Sequence, residues 1–130
     1  MAWVAGYERA WRAPGTAALG ELFAEDATYQ TAPFEAPYRG LAEIASMWEA
    51  ERKGPDEAFT FDAALVALDG SVGVVRVAVE YGPPQAQRYL DLWIVRFDAD
   101  GRCAAFEEWP FWPPGSKGGF AGEGGGEHRA

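Results

Sequence analysis

The sequence predicts an α+β domain in which a strongly curved antiparallel sheet, a meander plus a short first strand, wraps around about three N-terminal helices. Before Pro55 the large apolar residues recur at helical spacing, and after it the period becomes that of extended chain. Turn-forming dipeptides separate the extended runs at short intervals. Long strands joined by tight hairpins twist and curl, and the concave side of such a sheet takes the helices as a lid.

In the N-terminal part, Trp3, Tyr7, Ala10 and Trp11 share one face of a helix over residues 2–13, with Glu8, Arg9 and Arg12 between them. Pro14 and Gly15 stop it, and Thr16 can cap a second helix with the stripe Leu19, Leu22 and Phe23, ending at Glu25 and Asp26. Residues 27–31 read as a short strand, and residues 32–40, with two prolines and a glycine, as a loop. Leu41, Ile44, Ala45 and Trp48 mark a third helix that ends near Lys53, Gly54 and Pro55.

Four strands follow, over residues 59–68, 72–81, 87–97 and 102–112. Asp69-Gly70, Gly82-Pro83-Pro84 and Asp98-Ala-Asp-Gly101 supply the turns between them. Asp98 to Gly101 is a hairpin turn and no calcium loop, because the later ligands of such a loop do not follow. The domain therefore spans residues 1–113, and the Gly-dominated stretch 114–130, with Phe120 as its large apolar residue, reads as a disordered tail.

A chain of 130 residues can bury one substantial core but not two, and 15% aromatic content with six Trp points to a core or cavity built from rings. A formal net charge of -9 excludes nucleic acid and anionic membrane as partners, since both need a basic face. The start of the chain has neither a basic segment nor a long apolar stretch, so no signal peptide or membrane span is read and the cytoplasm is expected. Cys103 stands alone, which rules out an internal disulfide, and it reads as a small buried hydrophobe beside a turn.

Three phrases carry a family resemblance: Leu22-Phe-Ala-Glu-Asp-Ala-Thr-Tyr29, Tyr38-Arg-Gly-Leu-Ala-Glu-Ile44, and Val95-Arg-Phe-Asp-Ala-Asp-Gly-Arg102 running into Phe106-Glu-Glu-Trp109. With the element order, they resemble the nuclear transport factor two-like superfamily, in its SnoaL-like and ketosteroid-isomerase-like branch. The resemblance implies a cone-shaped, cystatin-like α+β barrel with a pocket, in a family that holds isomerases, cyclases, hydrolases and members without catalysis. Of the isomerase parts, Tyr7 matches the Tyr of the first helix, while Thr31 stands where the general base would be and Trp93 where a protonated Asp would be. Ketosteroid isomerase activity itself is therefore not expected, because Thr cannot shuttle a proton at neutral pH and indole is a weak donor. Against the superfamily's epoxide hydrolases, Glu108 falls near the last carboxylate, but Arg88 and Asp91 are three apart and point to opposite faces of a strand.

The register implied by the resemblance turns Tyr89, Asp91 and Trp93 inward on one strand and Phe106, Glu108 and Pro110 inward on the last. Asp91 and Glu108 then flank a pocket lined by rings, where burial is expected to disfavour their charged forms and suit them to acid or base work. Because the one His, His128, lies in the tail, chemistry rests on Asp91 and Glu108, with Tyr7 as a donor to a developing oxyanion. No metal and no cofactor is expected. Trp93, Tyr89, Trp48, Phe34, Phe106 and Thr31 are the expected ligand-binding residues, for a small, largely apolar or aromatic molecule. Each of these side chains also has a bland reading as core filler or as a satisfied buried polar group. A one-residue slip would exchange Glu108 for Glu107 and Asp91 for Leu90 in the pocket. Leu90, Leu92 and Ile94 with Trp109 and Phe111 form an outward apolar strip, for which a homodimer through the sheet face is expected.

Overall fold

The computed structural model describes residues 2–51, 58–83 and 86–116. Helix α1 spans Ala2–Arg12 and buries Trp3, Val4, Tyr7 and Ala10, the stripe that its spacing dictates. Helix α2 is a single turn, Leu19–Leu22. The chain then enters strand β1, Phe23–Gln30, followed by β2, Tyr38–Arg39, and α3, Gly40–Glu51. Strands β3 (Phe59–Asp69), β4 (Val72–Tyr81), β5 (Arg88–Phe97) and β6 (Cys103–Phe111) form the meander.

Two elements differ from the sequence reading. The segment from Phe23 to Asp26, expected to finish the second helix, is the first half of β1, because Phe23 pairs with Cys103 of β6 and the Trp3 indole N–H donates to the Leu22 carbonyl at 2.8 Å. Within the expected loop, Tyr38 and Arg39 form a two-residue strand against Tyr29 and Thr28. The expected end of the third helix at Lys53 to Pro55, Pro84 of the second turn, and the tail beyond Ser116 with Phe120 and His128 lie outside the described residues. Residues 114–116, where the tail was expected to begin, form a turn held to the domain by Gln87 Nε2 donating to Ser116 Oγ at 3.0 Å.

All six strands form one sheet in the order β2-β1-β6-β5-β4-β3. Every junction is antiparallel except β1/β6, which is parallel. Turn chemistry matches the reading: Gly70 takes φ 58° between β3 and β4, and Asp98 Oδ1 accepts from the N–H groups of Asp100 and Arg102 at 2.9 and 3.0 Å. Helix α3 starts at Gly40, with φ 83°, where Glu43 Oε1 accepts the N–H of Arg39 at 2.8 Å and so satisfies a backbone donor at the helix start.

The helices pack on the concave face. Trp3, Tyr7, Phe23, Trp48, Trp93 and Phe106 are central to one continuous core. Most of their rings meet edge-on or tilted, as in Trp3 against Trp93 at 6.3 Å and Tyr7 against Trp93 at 4.5 Å, while Tyr7 stacks on Phe106 at 5.6 Å. No helix among the described residues is long and apolar enough to cross a membrane.

Candidate active site

A cavity of about 50 Å³ opens at the end of the curved sheet where β3 begins, β4 ends and β5 begins. From the helical side it is lined by Tyr7 and Trp11 of α1 and by Met47 and Glu51 of α3, with Tyr29, Thr31 and Tyr38 from and around the first two strands. The sheet contributes Phe59 and Phe61 of β3, Val79 and Tyr81 of β4, Tyr89, Asp91 and Trp93 of β5, and Glu108 of β6. The period of two explains each strand's contribution, since residues two apart share a face.

The pairing of β5 with β6 places Asp91 opposite Pro110, Trp93 opposite Glu108, and Val95 opposite Phe106, so these six residues share a face. Asp91 is 5% exposed and Trp93 1%. Glu107 lies on the other face, where its Oε2 is 3.8 Å from Arg96 Nη2. The slip that would have exchanged Glu108 for Glu107 is absent.

Of the expected residues, Tyr7, Asp91, Glu108, Trp93, Tyr89 and Thr31 meet around the cavity. Trp48 and Phe106 stand behind its wall, fully buried, each packed on the ring of Tyr7 at 5.1 and 5.6 Å. Phe34 does not belong to the site: it is 99% exposed, because the loop between β1 and β2 carries it out to solvent. The sequence reading missed Tyr29 and Glu51. Tyr29 precedes Thr31 by two on the same extended segment, and Glu51 continues the helical stripe of Ile44, Met47 and Trp48, so periodicity carried both signals.

Tyr29 links two of the expected residues. Its hydroxyl lies 2.6 Å from that of Tyr7 and donates to Glu108 Oε1 across a long 3.4 Å. Either hydroxyl can donate across the short contact. With Tyr29 turned to Glu108, Tyr7 donates to Tyr29. With Tyr29 turned to Tyr7, the Tyr7 proton is freed for the cavity. Burial first, and then the Glu108 carboxylate, pushes both hydroxyls well above their ordinary pKa of 10.0, so both are neutral donors at physiological pH. The arrangement can pass a proton between the cavity and a carboxylate, and can donate to an oxyanion formed beside it.

Cys103 is wholly buried, and burial raises its pKa to about 12, which removes it as a nucleophile. Among the described residues, no three His, Cys, Asp or Glu side chains gather as a metal ion needs.

The SnoaL-like domain family model matches residues 4–106, and the chain belongs to that family. The matched span stops two residues short of Glu108. No curated protein matches the chain. Among solved structures, a candidate polyketide cyclase from Sinorhizobium meliloti is 26% identical, with a TM-score of 0.65 over 83% of this chain and 94% of its own. A candidate isomerase of the SnoaL-like family from Agrobacterium tumefaciens is 21% identical, with a TM-score of 0.65 over 85% of this chain and 95% of its own. A LEH-like epoxide hydrolase from M. tuberculosis is 14% identical, with a TM-score of 0.62 over 84% of this chain and 80% of its own. The last two are likenesses of fold alone.

Proposed function

We propose that this SnoaL-like protein binds a small, largely apolar ring compound in the aromatic cavity and moves a proton on it. In this reading Asp91 is the base or acid that faces the ligand, Glu108 is its counterpart, and Tyr7 donates to the oxyanion that forms when a proton leaves carbon next to a carbonyl. The observation that carries the reading is the hydrogen-bonded line from Tyr7 through Tyr29 to Glu108, opening on the cavity that Asp91 also lines. A buried carboxylate, Asp91, with a half-buried one, Glu108, beside a neutral hydroxyl donor is the equipment of proton transfer without a metal. The candidate polyketide cyclase, 26% identical, is compatible with chemistry of this type.

Exchange of α-protons of cyclopentanone into D2O, followed by NMR, tests it. The wild type should accelerate exchange over buffer, and Asp91→Asn should lower the rate by about 100-fold or more. Unchanged exchange in Asp91→Asn would remove that residue from the mechanism.

A second property belongs to the outer sheet face. Leu90 is 50% exposed and Phe111 62%, and the two are directly paired across β5 and β6, with Leu92 beside Trp109 next along the same face. An apolar strip of this kind favours a homodimer through the sheet.

A further inference from the structure

Two neighbouring indoles of the core are served differently. Trp3 gives its N–H to the Leu22 carbonyl at 2.8 Å, whereas the buried N–H of Trp93 has no hydrogen-bond acceptor among the described residues. The ring of Trp93 is flanked by those of Tyr7 at 4.5 Å, Phe106 at 5.1 Å, Phe61 at 5.9 Å and Trp3 at 6.3 Å. Of these four side chains Tyr7 alone carries an acceptor, and its hydroxyl is set against that of Tyr29 at 2.6 Å. Burying a donor without an acceptor is costly, so folded proteins keep few such groups and each calls for a partner. Bulk solvent does not reach this one, and Trp93 lines the cavity, so an acceptor arrives with whatever occupies the cavity.

We infer that Trp93 is a specificity-determining donor: its indole N–H binds an oxygen of the ligand, so that the ligand is a ring compound with an acceptor oxygen, such as a cyclic ketone or lactone, and not a hydrocarbon of the same shape. The inference rests on the reading of this cavity as the ligand site and names the group that fixes how the ligand sits in it. Indole suits that task because its nitrogen donates and never accepts. A ligand that turns carbon or an N–H toward it leaves the donor orphaned, whereas a carbonyl oxygen satisfies it, so one orientation of the ring is favoured over the others. The strand register adds the consequence for chemistry. Trp93 lies directly opposite Glu108 and two residues from Asp91, so an oxygen held there anchors the ligand on the face that carries both carboxylates.

NMR of the full chain, isotope-labelled in its six Trp indoles, tests the inference with cyclopentanone and with methylenecyclopentane, which has nearly the same shape and no oxygen. Both should bind, and cyclopentanone alone should move the Trp93 indole proton downfield. Trp93→Phe should weaken cyclopentanone about tenfold and leave methylenecyclopentane within about twofold. A Trp93 signal that moves alike with both compounds, or a cyclopentanone affinity unchanged in Trp93→Phe, would overturn the inference, the ring faces around the N–H then being its partners. Binding of methylenecyclopentane alone would overturn it too, and in each of these cases the cavity still stands as the ligand site. If neither compound binds, the ligand-site reading is lost and the inference with it. The signal is assigned in the wild type by its nuclear Overhauser contacts with the rings of Tyr7 and Phe61, so the test survives a Trp93→Phe variant that fails to fold.

Discussion

The indole N–H of Trp3 donates to the Leu22 carbonyl at 2.8 Å in the protein interior, where Leu22 ends α2 and Phe23 begins β1. A helix end leaves carbonyls without partners, and here a side chain from another helix satisfies one of them. Trp3→Phe keeps most of the ring packing but orphans that carbonyl, so it should destabilise the protein by about 1–3 kcal/mol, read as a lower urea midpoint at an unchanged slope. Cys103 makes a second residue-scale expectation. With its thiol pushed up to about 12 by burial, it should resist a disulfide reagent at about pH 8 in the folded protein and react only after unfolding in urea.

At the scale of elements, the two glycines Gly40 and Gly20 separate backbone need from tolerance. Gly40 starts α3 with φ 83°, a conformation that strains any residue with a Cβ. Gly20, inside α2, has ordinary φ and nothing within 4 Å of the position a Cβ would take. Gly40→Ala should cost about 1–2 kcal/mol, and Gly20→Ala should be neutral or stabilising by up to about 1 kcal/mol, both measured by thermal unfolding. The four long strands were legible because Gly and Asp turns bracket runs of period two. The start of β1 was not, because Leu19, Leu22 and Phe23 fit a helical stripe and what decides for a strand is pairing with Cys103, eighty residues away in sequence. The two-residue strand β2 likewise exists only through its partners Thr28 and Tyr29. For the site, the inward set Asp91, Trp93 and Glu108 followed from alternation once the family's register was adopted, and the cross-strand pairing gives the same faces. Phe34 failed as a ligand-binding residue because ring chemistry alone does not tell which way a loop carries a side chain.

For the whole molecule, three buried groups link stability to pH. Tyr7 and Tyr29 are raised well above 10.0, and Cys103 from 9.0 to about 12, chiefly by burial. Once pH passes about 9, the unfolded chain loses protons that the folded chain keeps, so the unfolded state binds fewer protons and stability falls as pH rises. The contribution is fully present below pH 9. The melting temperature, followed by circular dichroism, should therefore drop between about pH 9 and pH 11 by more than in Tyr29→Phe, which lacks one of the three groups.

The outer face has its own test at this scale. Light scattering at micromolar concentration should give twice the chain mass of 14.1 kDa, and Leu90→Glu with Phe111→Glu should return it to the monomer without loss of fold, since both side chains are already half exposed or more.

The cavity reading depends on which of two adjacent glutamates faces inward, so the most direct measurement compares Glu108→Gln with Glu107→Gln in the cyclopentanone exchange assay. The two changes are chemically identical, and the residues differ in the face of β6 they occupy, with Glu107 near Arg96 outside and Glu108 on the cavity beside Tyr29. The account predicts that Glu108→Gln loses about 100-fold or more of the exchange rate while Glu107→Gln keeps it. Equal rates in the two variants, or a larger loss in Glu107→Gln, would contradict proton transfer through the inward carboxylate.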